Sequence, residues 1–211
     1  MKPLIGADDP EVPVWASYTD VAMNVLVVLL LYLFTQAVYA TLTETDMVRI
    51  REEQRQMRTA VLEALGPELQ KDVTVAEDGQ LMRYRFADRV LFDSGDATLK
   101  GEGKEILSRM GNAFQSNVGN FSHIQVEGHT DDRPINTNAF KSNWELSSAR
   151  ATSVVQFLAS TANLDPKLLS ATGYSQYRPL LTEDSDFARA RNRRIEVVVV
   201  YTLRTNSETK K

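Results

Sequence analysis

The sequence predicts an α+β protein: a single N-terminal transmembrane helix, a short helical stalk, and an α/β sandwich built on a mixed sheet. Three observations lead there. Residues 14–42 carry one charge, Asp20, and are apolar without interruption over 25–34. Apolar residues then recur at helical spacing over 47–64. From Val73 onward, strand-like and helix-like segments alternate.

The membrane segment comes first. A bilayer core takes about 20 apolar residues as helix, so 14–42 is long enough to span. The residues before it are acidic (Asp8, Asp9, Glu11) with Lys2 as the sole cation, which fits a cleaved signal peptide poorly. The segment therefore reads as a retained anchor preceded by a short tail, 1–13. Trp15 and Tyr18 stand where an interfacial aromatic belt would begin, with Tyr32 and Tyr39 further along. Arg49, Arg51, Arg55 and Arg58 follow the segment, and by the positive-inside rule alone they would place the C-terminal part in the cytoplasm.

Asp20 admits two readings. It can cap a helix that starts at Val21. Alternatively the helix starts near Pro13, and Asp20 then enters the edge of the hydrocarbon one turn before Asn24 on the same face. Charged residues at membrane depth are costly and mark ion paths, and desolvation favours the protonated carboxyl, which suits proton exchange.

Next, Met47, Ile50, Gln54, Met57, Val61 and Ala64 are spaced 3, 4, 3, 4 and 3 apart. That is a heptad seam, and it predicts a helical stalk over 43–71 that either pairs with its own copy or lies as an amphipathic helix on the domain or the membrane surface. Gly66-Pro67 ends it. Residues 73–77 and 81–86, joined by Asp78-Gly79, read as a β-hairpin. A loop with Ser94-Gly95 follows, then a helix near 103–114, a strand at 124–127, a helix over 143–159, a strand at 168–172 and a buried strand at 194–201. Residues 204–211 are polar and expected to fray.

Composition excludes several functions. The net charge is −4, which disfavours bulk affinity for nucleic acid, and the arginines at 189, 191, 193 and 194 stand without a wider basic face. No cysteine is present, so disulfides, thiol catalysis and thiolate metal sites are out. His129, Asp131 and Asp132 with His123 show no metal-ligand spacing, and no nucleophile–base pair or phosphate loop stands out. Neither an enzyme nor a cofactor-binding protein is expected.

The most informative stretch is Val126-Glu127-Gly128-His129-Thr130-Asp131-Asp132, followed by Ser142-Asn143-Trp144-Glu145-Leu146-Ser147-Ser148-Ala149-Arg150-Ala151. Ala171-Thr172-Gly173-Tyr174 and Asn192-Arg193-Arg194 complete it. Together these resemble the OmpA-like peptidoglycan-binding domain over about 72–203. The resemblance implies a diaminopimelate-type zwitterion as ligand, with Asp131 taking the ammonium, Arg150 the carboxylate, and Asn192 and Arg193 supporting the floor. An acid and an arginine suit such a ligand because the planar guanidinium donates two parallel bonds to a carboxylate. From the residues alone, Arg150 could equally be a solvated helix residue paired with Glu145 or Asp131. Peptidoglycan lies outside the inner membrane, so the resemblance puts the C-terminal domain in the periplasm and the N-terminus in the cytoplasm.

Pro13-Val14-Trp15-Ala16-Ser17-Tyr18-Thr19-Asp20-Val21 is in turn similar to the start of the MotB-type helix of ion-driven stators. That likeness implies Asp20 as ion carrier, with Tyr18, Thr19 and Asn24 as neighbours. It also implies a homodimer inside a ring of multi-helix A subunits of the MotA or ZorA type, set in membrane lipid. The transported ion is expected to be a proton, with sodium open because Thr19 offers a hydroxyl. The short acidic tail and a linker of about 30 residues look more like a Zorya-type anti-phage defence motor than a flagellar stator. The competing reading is a static peptidoglycan tether in which Asp20 only caps a helix.

Overall fold

The computed structural model describes residues 14–202. The expected tails, 1–13 and 204–211, lie outside the described residues, as does the side chain of Trp15. The chain divides into two compact units, Met1–Met47 and Val48–Lys211.

The first unit holds the beginning of helix α1 (Val14–Gln70). Asp20 lies inside this helix and not ahead of it, so its position is not that of an N-cap. This is the one helix among the described residues that is long and apolar enough to cross a membrane, with a mean hydropathy of 2.2 in its best window. Val25 through Phe34 are exposed on every side, which suits surroundings that are apolar all round. Thr35, Thr41, Thr43 and Thr45 turn their hydroxyls back onto carbonyls three or four residues earlier, so these four hydroxyls are satisfied within the helix.

The second unit begins with the remainder of α1, over the stretch expected as a helical stalk. Ile50, Met57, Val61 and Leu65 are buried and join the core of the folded domain, and Gln54 is buried on the same face. The heptad spacing marks a face that packs onto the domain of the same chain. Its polar member, Gln54, donates from Nε2 to the carbonyl of Gly79 at 3.0 Å, and Arg58 meets Glu77 at 3.3 Å. The helix is interrupted at Gly66 (φ 70°, ψ 168°), next to Pro67, as the sequence predicts.

The hairpin β1 (Val73–Asp78) and β2 (Leu81–Ala87) follows, with Gly79 at φ 57° in its turn. Then come α2 (Asp88–Leu91), α3 (Gly101–Ser116), β3 (His123–His129), α4 (Asn143–Thr161), a 3-10 turn at Pro166–Leu168, β4 (Leu169–Gly173), α5 (Asp186–Asn192) and β5 (Arg194–Val200). The sheet order is β1-β2-β5-β3-β4, antiparallel except for the parallel pair β3 and β4. The short helices α2 and α5 go beyond the sequence expectation.

One sheet face carries Met82, Tyr84, Phe86, Ile124, Val126, Ile195, Val197 and Val199 into the core. Tyr84, Phe114 and Phe121 meet edge to face at 5.8 and 6.2 Å. The opposite face is polar: Arg83 reaches Glu127 and Glu196 (3.3 and 3.4 Å), and Arg85 and Arg194 both engage Glu196 (3.2 and 2.6 Å).

Two glycines set how α4 lies on the sheet. A Cβ on Gly128 would collide with the Ser147 carbonyl, and one on Gly173 with Ser148. Backbone touches backbone at both points, so only glycine fits. This contact fixes the first turns of α4 over the end of β3, where the candidate site is.

Candidate functional site

The site forms where β3, α4 and β5 end together. Ser142 caps α4 by accepting from Glu145 N at 3.3 Å, and the Glu145 carboxylate accepts from Lys141 N at 2.7 Å. These two bonds fix the start of α4 and use Glu145 locally, so Glu145 is not a partner of Arg150. Ser147 Oγ then accepts from Ser175 N at 3.1 Å, and Arg150 follows one turn on.

Arg150 is 2% exposed, which overturns the solvated-helix reading. Its Nε donates to Asp96 O (2.7 Å), Nη1 to Asp88 Oδ2 (3.1 Å) and Nη2 to Asp93 O (3.0 Å). One N–H on each of Nη1 and Nη2 is left over. Burial pulls the guanidinium below its ordinary value, and the Asp88 charge opposes this. The loop that supplies the carbonyls is shaped by Gly95 (φ 71°) and by Asp96, whose carboxylate accepts from Ala97 N, Thr98 N and Thr98 Oγ1. The guanidinium also lies over the Phe92 ring at 5.2 Å.

Asp131 is buried and accepts from Arg193 Nη1 at 2.6 Å and Arg133 N at 3.2 Å. Arg193 Nε in turn lies 3.8 Å from Asp88 Oδ2. The charges therefore alternate along one line: Arg150, Asp88, Arg193, Asp131. Of the four, Arg193 has the most exposed side chain, at 36%. This line borders a cavity of about 520 Å³, also reached by Arg89, Lys100 and Arg133.

Three of the four residues expected at the wall site, Asp131, Arg150 and Arg193, thus share one cavity. Asn192 does not join them there. Its Oδ1 accepts from Leu180 N and Leu181 N (2.8 and 3.0 Å) and its Nδ2 donates to Leu181 O (2.8 Å). It clamps a loop in place and borders a neighbouring cavity that Asp131 also lines.

Asp88 is the functional residue that sequence reasoning missed. No local motif marks it. The β2–β5 register pairs Ala87 with Arg194, and Asp88 N then donates to Arg193 O at 3.1 Å, which brings its carboxylate between two arginines. An acid immediately after the second hairpin strand was the available signal.

His129 stands apart from Asp131, on the sheet's polar face. It is buried, stacked on Tyr174 at 5.3 Å, and its Nε2 is 3.6 Å from Glu127 Oε2. Neither ring nitrogen has a hydrogen-bond partner. Among the described residues no group of three His, Asp or Glu side chains converges as metal ligands. In the other unit, Tyr18 and Asp20 are exposed on the helix surface, and Asn24 follows Asp20 one turn later on the same side.

Residues 91–193 match the family model of the OmpA family. The chain is similar to Motility protein B of Bacillus subtilis, 34% identical over 133 residues that cover 63% of this chain and 49% of that one. Among solved structures it resembles a putative MotB-like protein from Desulfovibrio vulgaris, with 28% identity and a TM-score of 0.67, covering 77% of this chain and 98% of that one. It also resembles the cell wall anchor of the T6SS from Pseudomonas aeruginosa, with 33% identity and a TM-score of 0.60, covering 66% and 96%. The chain spans about half the length of the curated relatives it matches. The second unit has the fold of an OmpA-like, MotB-type periplasmic domain.

Proposed function

We propose that this chain is the B subunit of an ion-driven inner-membrane rotary motor, carrying the ion on Asp20 and gripping peptidoglycan through the cavity between Asp131 and Arg150. The observation that carries the proposal is the joining of two parts in one chain. A long apolar helix with a single internal carboxylate precedes an OmpA-like domain similar to that of Motility protein B.

At the wall, the ligand's ammonium replaces Arg193 on Asp131. The released Arg193 and the spare Nη N–H groups of Arg150 then meet the ligand carboxylate. Asp88 keeps Arg150 in place throughout. In the membrane, a cation neutralises Asp20 and changes how the helix packs against a multi-helix A-type ring. Release on the far side restores the charge and advances the ring by one step. The energy available is roughly 2.3 kcal/mol per charge per 100 mV. The proton is the favoured ion, and Thr19 keeps sodium as the second choice. Wall binding by two copies of the chain holds the B dimer still while the ring turns, with the N-terminus cytoplasmic and the domain periplasmic.

Within this class a Zorya-type defence motor is favoured over a flagellar stator. Since α1 belongs to the domain from Val48 onward, little free linker separates the apolar run from the wall-binding fold. The decisive experiment is Asp20→Asn in cells expressing the chain with its co-purifying A-type partner. Ion flux and motor output should vanish while the complex still assembles. Intact flux would reject the proposal.

A second reading, a static wall tether, draws support from the likeness to the T6SS cell wall anchor. Co-purification separates the two, because a tether brings down no multi-helix membrane partner.

A further inference from the structure

A separate cavity, of about 200 Å³, lies where β2 ends and β5 begins, and its wall is basic. Lys71, Arg85, Arg89, Arg191 and Arg194 line it, against one acid, Asp72. In a chain of net charge −4 such a gathering runs against the composition. Strand register brings it about. Arg85 pairs across the sheet with Glu196 and Ala87 with Arg194, so both arginines share the polar face. Val73 pairs with Phe86, which sets Lys71 and Asp72 beside the end of β2. Arg89 follows on α2, and Arg191 stands in the last turn of α5 just ahead of Arg194.

These cations are not neutralised from within. On the polar face Arg83, Arg85 and Arg194 share only two carboxylates, Glu127 and Glu196. Arg194 is buried and fully used by the fold: Nε donates to Glu196, and Nη1 and Nη2 donate to the carbonyls of Asn192 and Arg178. Arg85 is not used in this way. Its buried Nε lies 3.2 Å from Glu196 Oε1 without the alignment of a hydrogen bond. The Arg89 side chain has no ion pair or hydrogen bond among the described residues, and Arg191 only lies over the Phe187 ring at 5.6 Å. Lys71 meets Glu68 at 3.8 Å, but both are largely exposed, where such a pair contributes little. Like charges gathered in one cavity repel, and an anion among them removes the repulsion.

We infer that this cavity binds a dianionic phosphate group, free or as a monoester, held by Arg85, Arg89, Arg191 and Lys71 beside the buried Arg194. Such a group carries about −1.5 to −2 charges and three acceptor oxygens, which donors from several directions can share. A carboxylate is satisfied by one guanidinium fork and would leave most of these donors idle. The volume admits a phosphate group with a few waters, each of about 30 Å³. A nucleic-acid strand needs a run of phosphate contacts, and one pocket offers a single contact point. The site is independent of the wall-binding reading, because Arg89 alone lines both cavities.

The test titrates the full chain in zwitterionic lipid nanodiscs, at constant chloride, with inorganic phosphate, glycerol 3-phosphate and the diester glycerophosphoglycerol. Calorimetry should show saturable binding of a dianion, about tenfold tighter than of the diester. Whichever of phosphate and glycerol 3-phosphate binds more tightly identifies the source as free ion or ester. At roughly ten times Kd the thermal midpoint should rise by about 3–6 °C. Arg191→Gln, at an exposed position, should keep the ligand-free midpoint, weaken binding about tenfold and lose most of that rise. Arg191→Lys should keep most of the affinity, and Lys71→Gln gives a second, independent loss. Absence of saturable binding overturns the inference, as does a diester bound as tightly as the dianions. Phosphate binding that survives both Arg191→Gln and Lys71→Gln belongs to the cations of the wall cavity and overturns it as well.

Discussion

Replacing Arg150 by lysine tests whether this residue is built into the fold as well as into the site. The guanidinium satisfies three separate acceptors: the carbonyls of Asp93 and Asp96 and the carboxylate of Asp88. A lysine ammonium is a compact point charge that lacks the planar fork and cannot hold that geometry. Each lost hydrogen bond to a carbonyl removes about 1 kcal/mol, and a buried acceptor left unpaired costs a further share of about 1–3 kcal/mol. Complete rupture of a buried ion pair costs roughly 3–5 kcal/mol, but the substituted lysine would retain charge near Asp88, and Arg193 stands 3.8 Å from the same carboxylate. The expected loss for Arg150→Lys is therefore about 2–4 kcal/mol. For a unit of this size each kcal/mol moves Tm by roughly 2–4 °C, so the midpoint should fall by about 4–16 °C. Differential scanning fluorimetry on the full chain in detergent reads the shift, and a sacculus pull-down reads wall binding alongside. A midpoint unchanged within about 2 °C would refute the reasoning, since it would mean that the three bonds contribute no net stability.

Three further outcomes follow from the same geometry. Gly128→Ala drives a methyl group into the Ser147 carbonyl, where backbone meets backbone, and should destabilise the domain by about 3 kcal/mol, the upper end of overpacking costs, measured by denaturant unfolding. Met57→Ala opens a cavity beneath α1 and should cost about 2–5 kcal/mol with a midpoint independent of protein concentration; a concentration-dependent midpoint would restore the self-pairing stalk. Burial holds the folded-state pKa of His129 below 6.5, so the unfolded chain takes up a proton first as pH falls. Stability is then complete above the unfolded pKa and declines as pH drops below about 6.5 toward the folded value, and His129→Gln should flatten that part of a Tm-against-pH series.

Legibility differed between elements for identifiable reasons. The hairpin, α3, β3, α4 and β5 were readable because each carries a local pattern. Alternation and an Asp-Gly turn mark the hairpin, helical spacing marks α4, and a valine run marks β5. The seven-residue α5 and four-residue α2 are too short to carry a period, and α5 is held by a Ser185 cap with charges from Asp184 and Asp186 onto Arg189. The seam from Met47 to Ala64 was legible as an apolar face, but which of its candidate partners it packs on was not. A stripe spaced 3 and 4 apart packs equally well on its own copy or on a sheet, and spacing holds no record of which surface is nearby.

The chain's sequence by itself determined that one carboxylate sits in an apolar run, because that feature lies within a short window where side-chain type and spacing are the whole signal. Its resemblance to the OmpA-like domain, and not spacing, joined the acid Asp131 and the arginine Arg150 in one motif. The tertiary structure alone decided what completes the motif. Asp88 comes between Arg150 and Arg193 because β2 and β5 pair in a fixed antiparallel register across more than a hundred residues. Such contacts depend on strand register and on the close approach of α4 to two glycines, and neither is written in any local run of residues.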